Sequence, residues 1–210
     1  MSQIIEWLGI KMISDGGLTH PGGNHIDSGA YDKEISLFET VLQNVKEKNT
    51  PTMIEIGSFW AWWSLMFRTK YPQGENILVE MAKTQLLCGQ KNFELNGHGY
   101  IPYHAGIGKE SSSQKGVTDL GPEISVSQII EDVNLKSIDV LHIDAQGSES
   151  FIIRSISPLL STGFILNIVV STHSRDIHNE VLSILSENRY KIVHDIPKVH
   201  DDGYIYANLD

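Results

Sequence analysis

The chain reads as a doubly wound α/β fold: a mostly parallel seven-stranded sheet with helices on both faces and a C-terminal antiparallel hairpin. Three observations predict it. Strand-like apolar runs alternate with helical segments after Pro51. Two of these runs carry acids, Glu55 and Glu80, and are separated by one helix-length segment. The last two runs follow each other with only a short polar connection between them.

The strands fall near 52–57, 76–81, 99–105, 138–144 and 164–171, and the helices near 61–70, 83–96, 124–134, 148–157 and 176–188. A helix between successive strands makes them parallel and places helices on both sides of the sheet. Tyr190 to Ile196 and Gly203 to Leu209, joined across Asp201-Asp-Gly203, form the terminal hairpin. Before the first strand, Tyr31 to Lys48 reads as a helix, preceded by a glycine-rich loop from Asp15 to Gly29. That loop is long enough to fold over the carboxyl ends of the strands as a lid. A second Gly- and Ser-rich loop runs from Gly106 to Gly121. The expected organisation is therefore a lid loop and helix over 1–50 and one globular cofactor-binding unit over 51–210.

Composition narrows the function. A length of 210 residues suits one substantial core. A net charge of −10 argues against nucleic acid, whose phosphates require a clustered basic face. The single cysteine, Cys88, excludes an internal disulfide and fits a reducing compartment. The N-terminus lacks a basic segment followed by an apolar core, and no apolar run approaches the ~18 residues of a membrane helix. We therefore expect a soluble, cytoplasmic protein with no membrane partner; the sequence carries no signal for its oligomeric state.

The run Pro51-Thr-Met-Ile-Glu-Ile-Gly57 is a buried strand ending in a glycine, where the backbone turns sharply and approaches a ligand closely. The next strand ends in Glu80, where an acid accepts hydrogen bonds from ribose hydroxyls. The alternative is that Glu80 caps a strand at the surface. A dinucleotide fingerprint needs three glycines, whereas this turn reads Gly57-Ser-Phe-Trp-Ala61, with one glycine followed by bulk. A ribose-bearing cofactor without phosphates fits better, and S-adenosylmethionine is the common one. Trp60 lies inside the turn, where its ring lines the methionine side of that cofactor or simply packs.

A second cluster follows in Ser137-Ile-Asp-Val-Leu-His-Ile-Asp-Ala-Gln-Gly-Ser-Glu149. Alternation puts His142 and Asp144 on one side of the strand, and Asp144 at its end is the best catalytic candidate, against a capping role. Glu149 suits the first turn of the next helix, where its charge favours the dipole. His173, after the 164–171 strand, is a third candidate because imidazole titrates near neutral pH; the alternative is a surface histidine at the start of a loop. Asp144, Glu149 and His173 together offer donors that suit Mg or Mn, but their spacing does not demand a metal and none is assigned. The other histidines show no metal-ligand spacing.

These blocks resemble the FkbM-type methyltransferases, with the likeness spanning Met53 to His173. Met53-Ile-Glu-Ile-Gly57 is similar to the family's first cofactor motif. Ile77-Leu-Val-Glu-Met81 with Asn92-Phe-Glu-Leu-Asn-Gly97 is similar to its acidic ribose motif, and His104-Ala-Gly-Ile-Gly108 to its adenine segment. Leu141-His-Ile-Asp-Ala-Gln-Gly-Ser-Glu149 resembles its most diagnostic signature.

The resemblance implies a Rossmann-like class I fold and O-methylation of a sugar or natural-product hydroxyl. Glu55, Gly57, Ser58 and Trp60 would then sit by the amino-acid end of the cofactor, Glu80 and Met81 by its ribose, and His104, Ala105 and Gly106 by adenine. Asp144 with His142 or His173 would orient and deprotonate a small-molecule hydroxyl acceptor. Four positions depart from the family pattern: Ala61 stands for its second glycine, His142 for lysine, Gln146 for glutamate and Ser171 for an acid. The other readings are a non-catalytic scaffold that binds the cofactor and an NAD-dependent oxidoreductase.

Overall fold

The computed structural model describes residues 3–14, 32–107, 119–197 and 202–209. In chain order the elements are β1 (Gln3–Trp7), β2 (Ile10–Ser14), α1 (Asp32–Asn44), β3 (Thr52–Ile56), α2 (Trp62–Lys70), β4 (Glu75–Glu80), α3 (Lys83–Leu95) and β5 (Ile101–His104). They continue with α4 (Val126–Val133), β6 (Ile138–Ile143), α5 (Glu149–Ser155), α6 (Ser157–Leu160), β7 (Ile165–Thr172), α7 (Arg175–Glu187), β8 (Lys191–Ile196) and β9 (Gly203–Asn208).

The main sheet has seven strands in the order β5-β4-β3-β6-β7-β9-β8. Strands β3 to β7 are parallel, while β9 runs antiparallel to both β7 and β8. The sheet therefore follows the expected plan, with the terminal hairpin inserted so that β9 pairs with β7. Chain order reverses between the neighbours β3 and β6, which opens a crevice at their carboxyl ends.

Some boundaries differ from expectation for local reasons. Strand β5 is short and lies at the sheet edge, where Pro102, lacking an N–H, is tolerated. The helix expected over 148–157 stops at Ser155 and restarts around Pro158. Helix α1 is shorter than the Tyr31 to Lys48 span. The expected lid, Asp15 to Gly29, lies outside the described residues, as does 108–118 of the second loop.

Strand alternation sorts the core into two layers. Met53, Leu78, Val140 and Val169 pack against Phe38 and Val41 of α1 and Leu65 and Phe67 of α2. Ile54, Ile77, Val79, Leu141 and Ile168 face the other way, onto Ile129 of α4, Ile152 and Ile153 of α5, and Val181 and Leu185 of α7. Each fully buried aliphatic side chain contributes about 1.5–3 kcal/mol. On the first face the alternation then places polar residues at the carboxyl ends: Glu55, Glu80 and His142 are 1%, 5% and 2% exposed. Those buried polar ends mark the crevice.

The N-terminal hairpin β1–β2 is an addition to the expected plan. Leu8 and Gly9 turn it with φ of 49° and 76°, both left-handed as a primed two-residue turn requires. Strand β2 finds its second partner on a helix: Asn92 Oδ1 accepts from Ile13 N at 2.8 Å, and Asn96 bonds both Lys11 N and Lys11 O. Trp7 of β1 stacks on Trp62 with ring centroids 4.3 Å apart.

Candidate active site

The crevice begins at Gly57. Its φ is +77°, and a Cβ there would lie 1.8 Å from the carbonyl oxygen of Asp144. Only glycine satisfies both the backbone conformation and this contact. The turn is fixed by Gly57 N and Ser58 N, which both donate to Val79 O, and by Asp144 N, which donates to Ile56 O. Phe59 and Ala61 then take left-handed φ values of 37° and 58° to launch α2. Ala61 thus holds a conformation that glycine favours, which explains why the resemblance has glycine there. Its fully buried methyl lies beside Gly89 of α3 and is absent from the crevice wall, so this departure adds no bulk to the site.

Two adjoining cavities occupy the crevice. The first, about 300 Å³, has apolar walls from Ile56, Val79, Met81 and Ile107, with Glu80, Gln85, Asp144 and Gln146 as polar groups. The second, about 200 Å³, is lined by Trp60, Trp62, Trp63 and Tyr204 together with Glu34, Glu55, His142 and Asp202. Gly57, Phe59 and Asp144 belong to both. Neither wall includes a lysine or arginine among the described residues.

Most of the residues singled out by sequence converge here. Gly57, Glu80, Met81, Ala105, Gly106 and Asp144 line the first cavity, and Glu55, Ser58, Trp60 and His142 the second. His104 faces elsewhere: its Nε2 lies 2.9 Å from Asp119 O and 3.1 Å from Met81 O, so it ties loops together behind the wall. His173 sits beside Asp144 on the side of Glu149. Gln85, Ser148, Glu34, Asp202 and Tyr204 line the cavities without having been singled out, and Gln146, noted only as a departure from the family pattern, joins them. For Asp202 and Tyr204, position just before and inside the terminal hairpin was the available signal.

Glu80 keeps both oxygens occupied by backbone, Oε1 accepting from Ala82 N at 2.9 Å and Oε2 from Phe59 N at 3.2 Å. Burial raises its pKa against the pull of those amides. Glu55 lies deeper, with Oε2 accepting from Ser64 N at 3.0 Å, and burial pushes its carboxyl up to about 8. His142 is pushed down to about 3 by burial and is neutral. Its ring stands 5.6 Å from that of Trp63 and edge-on to Phe38, and its Nδ1 has no hydrogen-bond partner. Expected among the candidate bases, it is placed to accept or donate a hydrogen bond rather than to carry a proton.

Asp144 leaves 32% of its side chain open. Burial raises its pKa to about 6; His173 opposes the rise, and the Asp202 and Glu149 charges add to it. His173 Nδ1 lies 2.7 Å from Glu149 Oε1, while its Nε2 lies 3.5 Å from Asp144 and 3.6 Å from Asp202. Burial works against its charge, but the Glu149 hydrogen bond and the three surrounding carboxylates outweigh it, and the net shift is upward. The site can therefore enclose an apolar planar group, offer acceptors to hydroxyls, and present a carboxylate–imidazole cluster where its two cavities join.

No protein-family model and no curated protein sequence matches the chain, so the FkbM-type likeness rests on the sequence blocks alone. Solved structures do match. A precorrin-6y methyltransferase from Geobacter metallireducens has a TM-score of 0.56 at 15% identity, covering 83% of this chain and 88% of that one. Aeropyrum pernix fibrillarin, with natively bound S-adenosyl-L-methionine, has a TM-score of 0.54 at 13% identity over 98% of this chain and 82% of its own. A tRNA uracil methyltransferase from Pyrococcus abyssi, in complex with S-adenosyl-L-homocysteine, reaches 0.60 at 9% identity, over 99% of this chain and 44% of that one. With the sheet order and the terminal hairpin, these likenesses establish that the chain has the Rossmann-like fold of class I methyltransferases.

Proposed function

We propose that the protein transfers a methyl group from S-adenosylmethionine to a hydroxyl of a small molecule. The observation that carries this reading is the pair of cavities meeting at Gly57, Phe59 and Asp144. One suits a nucleoside and the other an amino-acid end together with an acceptor. When bound, S-adenosylmethionine supplies an electrophilic methyl on a sulfonium.

The residues present fit that group. Glu80 is a nearly buried carboxylate on the wall of the apolar cavity and has lone pairs beyond those its two backbone amides use, which suits a ribose diol. Ser58 Oγ and Trp60 Nε1 are buried donors without partners in the crevice turn, which suits a carboxylate. Ile56, Val79 and Ile107 form walls for a planar base. Asp144 stands at the junction, backed by His173, where a hydroxyl acceptor is oriented and relieved of its proton. Alignment of acceptor and donor provides most of the acceleration.

The acceptor class follows from charge. Glu34, Asp144 and Asp202 line the second cavity in a chain of net charge −10, which favours a neutral or cationic small molecule over a polyanion. A dinucleotide reading loses support at α2. A pyrophosphate seats on a free helix N-terminus, and here Glu55 already accepts from Ser64 N beneath it, with Phe59 and Trp60 filling the turn.

Calorimetric titration of S-adenosylhomocysteine and NAD tests the reading, with Glu80→Ala as the control. Saturable binding of S-adenosylhomocysteine, weakened in Glu80→Ala, is expected. Binding of NAD alone would replace the proposal with an oxidoreductase, and cofactor binding without turnover on any hydroxyl would favour the scaffold reading.

A further inference from the structure

The Asp144, Glu149 and His173 cluster is built unlike an ordinary ion pair. Glu149 is 0% exposed. Its Oε1 takes three contacts, from Ala145 N at 3.1 Å, Gly147 N at 3.0 Å and His173 Nδ1 at 2.7 Å. Its Oε2 is equally buried and has no hydrogen-bond partner. A carboxylate buried this completely and bonded to Nδ1 fixes the tautomer and orientation of the imidazole.

A hydrogen bond from Nδ1 to Glu149 leaves the Nε2 lone pair facing outward, the arrangement in which a carboxylate orients a metal-binding histidine. Nε2 is buried, makes no hydrogen bond, and lies 3.5 Å from Asp144 Oδ1 and 3.6 Å from Asp202 Oδ2. Those separations are long for hydrogen bonds. They suit shared coordination: two donors about 2.1 Å from one ion stand about 3.0 Å apart at a right angle and about 3.4 Å apart at a tetrahedral one. Glu149, bonded to Nδ1, stands on the other side of the ring and fixes its orientation.

We propose that His173 Nε2, Asp144 and Asp202 bind one divalent first-row cation of the Mn²⁺ class, with Glu149 holding the imidazole from behind through Nδ1. One imidazole with carboxylate oxygens favours such an ion over Ca²⁺, which takes oxygen ligands only, and over the sulfur-rich sites of softer metals. Asp144 belongs to both cavities and Asp202 to the second, so the ion sits where the acceptor enters. Its role, which rests on the methyltransferase reading, is to ligate the acceptor oxygen and acidify its proton. Its binding does not depend on that reading.

The test uses the full chain, stripped with a chelator and titrated with Mn²⁺ by calorimetry in the absence of cofactor. The expected result is one saturable equivalent, a raised Tm, and nitrogen hyperfine coupling from imidazole in the pulsed paramagnetic resonance spectrum of the bound ion. His173→Gln, checked for folding by circular dichroism, should weaken binding about tenfold or more and abolish the nitrogen coupling. Asp144→Asn should weaken binding while keeping the coupling. Absence of saturable binding, or binding that both variants leave unchanged, overturns the proposal and leaves His173 as a protonated bridge between carboxylates. A parallel titration with S-adenosylhomocysteine separates the two ideas: Mn²⁺ binding without it refutes only the cofactor reading, and the reverse refutes only the ion site.

Discussion

Gly57 and Asp144 touch through their backbones: the space a Cβ on Gly57 would take is already held by the Asp144 carbonyl oxygen, 1.8 Å away. This contact closes the carboxyl ends of β3 and β6 into one crevice floor. Substitution there must push the two strands apart.

Gly57→Ala should therefore destabilise the fold by about 3 kcal/mol or more, combining left-handed strain of roughly 1–2 kcal/mol with overpacking of roughly 1–3 kcal/mol. Gly97 makes the comparison, because it has φ +70° but nothing within 4 Å of a Cβ. Gly97→Ala should cost only the strain, about 1 kcal/mol. Urea denaturation of both variants checks the difference, and equal losses would mean that the Asp144 contact is immaterial.

Burial of Glu55 makes stability depend on pH in a definite direction. The folded state holds its proton up to about 8, against a starting value of 4.5. The unfolded chain releases the proton earlier, so this group destabilises the fold progressively as pH rises across that window. Glu55→Gln should remove the decline. Its Tm relative to the parent should rise between about pH 5 and about pH 8, by several degrees, since ~1 kcal/mol corresponds to about 2–4 °C at this size. A constant difference across the range would show that Glu55 is ionised in the fold.

Asn92 joins the N-terminal hairpin to the crevice. Fully buried, it accepts from Ile13 N at 2.8 Å and donates to Trp60 O at 3.0 Å. Asn92→Ala leaves a buried amide and a carbonyl unpaired, at a cost of roughly 2–4 kcal/mol. Hydrogen exchange should quicken at Ile13 and also around Trp60. Faster exchange confined to the hairpin would refute the link to the site.

His178 is a buried histidine whose two ring nitrogens both pair within the fold. Its Nδ1 lies 2.8 Å from Thr172 Oγ1 and its Nε2 2.9 Å from Asp195 Oδ1, which ties α7 to β7 and β8, and it lines neither cavity. His178→Ala should lower stability by about 2 kcal/mol or more while leaving S-adenosylhomocysteine affinity unchanged. A matching loss of affinity would place this histidine in the site.

The main sheet was legible because each strand is a short apolar run with a helix-length segment after it, and because Glu55 and Glu80 end two such runs. The β1–β2 hairpin was not. Its decisive partner is the amide pair Asn92 and Asn96 on α3, and no strand pattern announces a strand that pairs with helix side chains. Gly57, Glu80 and Asp144 were legible as crevice residues because in such folds the crevice opens at the carboxyl ends of the strands. The resemblance put His104 in the adenine segment, but a motif gives a position and not a rotamer, and two carbonyls hold its ring. Gln85 and Asp202 escaped because neutral amides and loop acids carry no local signature.

Strand β9 lies between β7 and β8 although it is the last strand in the chain. During synthesis on the ribosome, β3, β4 and β6 emerge before β9, and until then β7 presents an open edge. The arrival of β9 seals that edge and, through the residue immediately before it, delivers Asp202 to His173. The carboxylate–imidazole cluster is thus completed only when the final hairpin is in place.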